Sequence, residues 1–371
     1  MNNIQFNQKD IANFLNQWLD NFPVDEKSQL SYLKRLDKIP EQFLKSLLFY
    51  HLITSHPFLN TNCELFKKFE QNLNENHDDL FQLIKLRNKA KNKIGKKILV
   101  ICAPKSGSSF ISNIISKTLD FASVNLNTFS QKPSPFGING REQEICEFSF
   151  IRNVLHPNYK GNFVAQHHIR ASEYLVNQIN YFGIKPIITT RNIFDSLVSM
   201  DDMIMAGKIS FLDNSEELFI RDSAMATIPT NYQTLTSDER YNCLVNTYGY
   251  WCISFYLSWK RFSKKIKNGV CFMSYENHIL NKIELIKLLN NFLDLNIEEK
   301  NKLDFNINNF DKIKSRFNKG ISGRGKAIPK KVKAKLESFS NKSYSYIFDA
   351  LNRLKDKKER EDIFPVAGLI L

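Results

Sequence analysis

The chain has 371 residues, 42% of them hydrophobic and 24% charged. That balance excludes an intrinsically disordered chain and leaves room for one large domain, or a domain with an appendage. Lys plus Arg (52) exceeds Asp plus Glu (38) by 14, which points to an anionic partner without naming it.

The first 95 residues read as helical. Ile11, Phe14, Leu15, Trp18, Leu19 and Phe22 fall on one face of a 3.6-residue period. Pro40 opens a second helical pattern carrying Phe43, Leu44, Leu47 and Leu48. A third amphipathic stretch ends at Gly95. No chemistry is evident here, and the reading is a helical extension over 1–95.

After Gly95 the pattern changes. KKILVICAP, NFVAQHH, PIITTRN and GVCFMSYEN are short apolar runs of the kind that make buried strands. Helical segments lie between them: ISNIISKTLDF, NIFDSLVSMDDMIMAG and a long CLVNTYGYWCISFYLSWKRFSKKI. Alternating strands and helices predict an α/β domain over 96–371, with a mostly parallel sheet flanked by helices. Ligands of such sheets collect at the carboxyl ends of the strands, so chemistry is sought just after each run.

After the first run stands Pro104-Lys105-Ser106-Gly107-Ser108-Ser109-Phe110, followed by a helix. Unpaired N–H groups at a helix start favour an anion. Lys105 adds charge, and Ser106, Ser108 and Ser109 are candidate hydroxyl donors. The order of Lys and Gly is not that of a Walker A loop. After the second run come Gln166, His167 and His168. Adjacent strand residues face opposite sides, so at most one histidine serves a given site. After the third come Arg191 and, eight residues later, Ser199, two turns into the next helix on about the same face. Arg191 is read either as a phosphate ligand or as the partner of a carboxylate such as Asp195.

Together these pieces resemble the sulfotransferases that use 3′-phosphoadenosine 5′-phosphosulfate (PAPS). Pro104–Phe110 resembles the family's PKSGTTW-like loop. RNIFDSLVS, with Arg191 and Ser199, resembles its RNPxDxxxS element. His168 stands 23 residues before Arg191, the spacing of the family's base, and so is chosen over His167. Tyr275-Glu276 resembles a YED-like element, and Lys319-Gly320-Ile321-Ser322-Gly323 a basic glycine loop. The resemblance covers roughly 96–340. Departures are Phe110 for Trp, Ile193 for Pro, Gln166 for Lys, Asn318 for Arg, and Gly325 in a tryptophan region.

The resemblance implies a P-loop-like sulfotransferase fold and transfer of a sulfuryl group from PAPS to a hydroxyl or amine, releasing PAP. It implies catalytic roles for His168 as general base and for Lys105 on the leaving oxygen. It implies donor binding by Lys105, Ser106, Gly107, Ser108, Ser109, Phe110, Arg191, Ser199, Tyr275, Lys319 and Gly320, with Phe110 and Tyr275 flanking adenine. It also implies that the serine matching Ser199 holds the lysine, and that no metal is needed. The acceptor is a small molecule or carbohydrate, and its pocket is expected from residues 122–160 and 205–240, including Phe136, Arg141, Tyr159 and Tyr232. The alternatives are a P-loop kinase or NTPase, and a non-enzymatic protein binding nucleic acid or another polyanion.

No run reaches the roughly 18–20 apolar residues that span a bilayer. The opening MNNIQFNQKDIANFL lacks the layout of a secretory leader. The six cysteines form no CxxC pair and no Cys/His cluster of zinc spacing. The expectation is a cytoplasmic protein with no membrane span. Residues 312–335 hold ten Lys or Arg and no Asp or Glu, so most of the basic surplus sits in the tract containing Lys319. The stretch after Pro329 reads as a solvated basic helix.

Overall fold

The computed structural model describes residues 86–126, 145, 147–206, 228–229, 231–309 and 321–338. The chain divides into two units, 1–92 and 93–371. The helical patterns expected over 11–22 and 40–53 lie outside the described residues; of the first unit, 86–92 is described and is helical.

Among the described residues the second unit is built on five parallel strands: β1 (Lys97–Cys102), β2 (Ala122–Val124), β3 (Phe163–His167), β4 (Lys185–Thr190) and β5 (Cys271–Ser274). Their order is β2-β3-β1-β4-β5. Its described helices include α1 (Ser108–Leu119), α2 (Glu147–Leu155), α3 (Glu173–Phe182), α4 (Ile193–Met205), α5 (Ser237–Leu244), α6 (Tyr250–Ser263), α7 (Lys282–Phe292) and α8 (Ile297–Asn308). The α/β class expected from the sequence holds, and every strand pairing among the described residues is parallel.

All six residues of β1 are buried, as a central strand covered on both faces requires. Its Ile98 and Val100 share a core with Val164, Ile187 and Met273 of neighbouring strands, with Phe110, Ile111, Ile114 and Ile115 of α1, and with Leu285, Leu289, Leu303 and Ile307 of α7 and α8. Alternation puts Leu99 and Ile101 on the other face. Near the end of β3, α6 packs against the chain, its Trp259 indole donating to the Ile169 carbonyl at 2.9 Å.

Two features differ from the sequence reading. Residues 122–160 are not one open loop, because they contain edge strand β2 and helix α2. Three residues of β2 are too few to show a period. The long helix expected over 243–266 is interrupted by a wide turn at Val245–Gly249, between α5 and α6. There Leu336 closes on Gly249: a Cβ on this glycine would stand 3.1 Å from Leu336 Cδ1. The basic segment after Pro329 is helical over 330–338, with Val332 and Leu336 buried and Lys330, Lys331 and Lys335 exposed. No helix of the described residues is long and apolar enough to cross a membrane.

The connection from β1 leads to β2 on one side, while that from β4 leads to β5 on the other. The loops after these adjacent strands therefore diverge, which opens a crevice at their carboxyl ends.

Candidate functional site

The turn after β1 has two residues in the left-handed region, Lys105 (φ 67) and Gly107 (φ 82). Gly107 is the N-cap of α1 and supplies no side-chain cap, whereas α3, α4, α5, α7 and α8 are capped by Ser172, Asn192, Thr236, Asn281 and Asn296. Among the described residues the N–H groups of Gly107, Ser108 and Ser109 meet no acceptor, while those of Phe110 and Ile111 are taken by the Gly107 carbonyl at 3.0 and 3.2 Å. The helix has no acidic residue in its first turn. Its positive end is therefore uncompensated.

The three serines of this turn do different work. Ser106 is fully buried; its hydroxyl donates to the Ala103 carbonyl at 2.5 Å and lies 2.7 Å from Thr189 Oγ1. It locks β1 to β4, so its hydroxyl proton is spent within the chain. Ser108 is also buried, and its Oγ accepts from Gln166 Nε2 at 3.0 Å. Ser109 is exposed.

The backbone of this turn is held from a distance. The Tyr248 hydroxyl, in the wide turn before α6, donates to the Pro104 carbonyl. Arg191 NH1 donates to the Lys105 carbonyl at 3.1 Å. The Lys105 ammonium reaches α4, where it meets Met203 Sδ at 3.6 Å. The contact on α4 is therefore Met203, one turn beyond Ser199, and not the serine hydroxyl that the resemblance implied.

β3 ends on His167 and His168 follows it, the two side chains turned to different surroundings. His167 is 1% exposed, and its Nε2 accepts the Leu126 N–H at 3.2 Å. Burial, with the charge of His168 beside it, pushes His167 down to about 3, so it is neutral and structural. His168 is half-buried, and its Nδ1 lies 2.8 Å from the Cys102 carbonyl. A carbonyl can only accept, so Nδ1 carries the proton and the lone pair of the neutral ring sits on Nε2. Cys102 Sγ is 3.2 Å from the same Nδ1. Burial pushes this thiol up to about 12, so it stays protonated.

Arg191 follows β4. Its NH2 donates to the Ile321 carbonyl at 2.9 Å, and its guanidinium lies 4.1 Å from the centre of the Tyr275 ring. Its Nε is buried and has no hydrogen-bond partner among the described residues. Asp195 is not its partner: that carboxylate accepts from the Gly323 and Gly325 N–H groups instead. The Tyr275 ring is 4% exposed and Phe110 5%, and both belong to the core beside α1. Burial raises the Tyr275 phenol, Arg191 opposing this. Glu276 ties the end of β5 to that of β4, its Oε1 accepting the Asn192 N–H at 3.0 Å.

Lys105, Gly107–Phe110, His168, Arg191 and Tyr275 thus all follow strands at the carboxyl end of the sheet. Ser199 is 1% exposed on α4. Lys319 and Gly320 lie outside the described residues, as do Phe136 and Arg141. Two residues expected at an acceptor pocket are elsewhere. Tyr232 is fully buried, its hydroxyl donating to Asp201 at 2.8 Å. Tyr159 stacks on His156 just before β3 begins, at the end of that strand opposite His168. The sequence reading missed Tyr248 and the partners of Asp195.

No family model matches the chain, and no curated protein matches it. Among solved structures it is similar to mouse sulfotransferase SULT7A1 complexed with PAP, at 17% identity and a TM-score of 0.40, over 71% of this chain and 87% of that one.

Proposed function

We propose that this chain transfers a sulfuryl group from PAPS to a hydroxyl or amine of a small-molecule or carbohydrate acceptor, releasing PAP. One observation carries the reading: three unpartnered N–H groups at Gly107–Ser109 stand beside Lys105, with a second cation, Arg191, on the adjoining loop. An anion of two separated phosphate groups matches that pair of positive sites better than a single phosphate does. The orphaned, buried Arg191 Nε supports the fit, since a donor left without an acceptor costs roughly 1–3 kcal/mol.

PAPS supplies an activated sulfuryl group on a phosphate leaving group. The N–H groups of residues 107–109 hold the 5′ end, and the Lys105 ammonium neutralises charge on the leaving oxygen. His168 Nε2 takes the acceptor proton while the Cys102 carbonyl holds Nδ1–H and fixes the ring. Arg191, with Ser199 and the Lys319–Gly320 loop, holds the 3′-phosphate. Tyr275 supports Arg191 from below, and so serves the nucleotide through the guanidinium more than through an open ring face.

Calorimetry tests the reading. The expected result is micromolar PAP binding with ATP weaker by about a hundredfold or more, a difference of roughly 3 kcal/mol. Tight ATP binding that ignores the 3′-phosphate overturns it and favours a kinase-like or NTPase reading. His168→Ala is expected to lower transfer by about 10²–10⁴-fold with PAP binding retained. His167→Ala is expected to act on folding, because that ring is buried.

A further inference from the structure

One buried carboxylate at this end of the sheet has no role in the proposed chemistry. Asp195 sits in the first turn of α4 and is 2% exposed. Its Oδ1 accepts the Gly325 N–H at 2.6 Å. Its Oδ2 accepts the Gly323 N–H at 2.7 Å and the Ser322 hydroxyl at 3.3 Å. A carboxylate withdrawn from water is costly unless its lone pairs are met. Here one four-residue segment meets them.

Both glycines are needed for that approach. Gly323 adopts φ 83, which L-residues rarely take. A Cβ on Gly325 would stand 2.5 Å from Phe194 Cβ and 3.2 Å from the Asp195 nitrogen. The backbone of 322–325 therefore lies directly on the start of α4. Just upstream, the Ile321 carbonyl accepts from Arg191 NH2. Arg191 and Asp195 thus hold neighbouring points of one segment, and Arg191 also spans to the Lys105 carbonyl. The carbonyl that orients one arm of the guanidinium is placed by the residues clamped on Asp195.

We infer that Asp195 is a positioning residue for nucleotide discrimination. By fixing 321–325 it sets the pose of Arg191, and so the grip on a second phosphate of the nucleotide. The inference rests on the proposed function. The N–H groups of Gly323 and Gly325 are spent on Asp195.

The test is the ratio of affinities for PAP and for adenosine 5′-phosphate, which lacks the 3′-phosphate. Asp195→Asn keeps the shape but turns one acceptor into a donor facing an N–H. The expected result is a ratio lowered by about tenfold or more, through loss of PAP affinity alone. An unchanged ratio in the folded variant overturns the inference and leaves the function standing. Equal loss for both nucleotides also overturns it, since a merely structural role predicts that. A wild-type protein that does not prefer PAP overturns the function and the inference with it. If Asp195→Asn does not fold, Gly325→Ala opens the clamp from the loop side, and the same ratio decides.

Discussion

Two turns of this protein share a backbone conformation and differ in what their N–H groups meet. Gly107 has φ 82 and ψ 10, and Gly323 has φ 83 and ψ 9; each stands at the N-cap of the helical turn that follows. At Gly323 and Gly325 the N–H groups converge on Asp195. At Gly107–Ser109 they meet no acceptor among the described residues. A concavity of N–H groups is an anion site in either case. One filled from within the chain becomes a clamp, and one left open becomes a place for a ligand. The histidines after β3 repeat the division: His167 is turned inward and neutral, while His168 is half-buried and oriented by a carbonyl.

The largest expected effect comes from converting the open turn into a filled one. Ser109 is exposed in the first turn of α1. Ser109→Asp puts a carboxylate where the donor phosphate is expected. At about 4 Å and an effective dielectric near 20, two unit charges repel by about 4 kcal/mol, so PAP affinity should fall by several hundredfold, as calorimetry would read. The same carboxylate complements the helix dipole and should raise stability to urea by about 0.3–1 kcal/mol. Unchanged PAP affinity would remove the distinction between the turns.

A smaller effect separates them by packing. Gly325→Ala drives a Cβ into the start of α4, against Phe194 and the Asp195 backbone, and should cost about 1–3 kcal/mol in urea unfolding. At Gly107 the nearest atoms are side-chain carbons of Ile279 at 3.2 and 3.3 Å and of Tyr275 at 3.3 Å, and the Ile279 chain can give. Gly107→Ala then pays chiefly for its left-handed backbone, about 1–2 kcal/mol. The comparison fails if Gly107→Ala proves the more destabilising of the two.

Much of this was legible before any coordinates. Four of the five strands are apolar runs, and β1 and β4 carry branched residues at most positions. Alternation says that at most one of His167 and His168 serves a given site, and only the spacing to Arg191 in the resemblance chose His168. Edge strand β2 was missed because Ala122-Ser123-Val124 has neither a run nor a period. The roles of Asp195 and Tyr248 were missed for another reason: their partners lie 127–130 and 144 positions away in the chain. No local pattern encodes such a pairing. Asp195 was visible only as a possible neighbour of Arg191, and the glycine pair at 323 and 325 was the one sequence sign that a backbone had to come close.

The smallest expected effect tests how the open turn stays open. Lys105 is not a glycine, yet it adopts φ 67, a conformation that costs roughly 1–2 kcal/mol. Such a residue persists where its surroundings over-determine it. Here the carbonyl before it is held by the Tyr248 hydroxyl and its own carbonyl by Arg191. The wide turn at Val245–Gly249 carries Tyr248 to that carbonyl, and such turns recur at functional positions. Tyr248→Phe keeps the fully buried ring and deletes one oxygen. The expected cost is about 0.5–1.5 kcal/mol in urea unfolding. Transfer should slow more than PAP binding weakens, because the backbone N–H groups remain while the Lys105 side chain loses its fixed bearing. Equal rates in wild type and variant would mean that Arg191 alone holds the turn, and the open turn and the clamp would then depend on the same guanidinium.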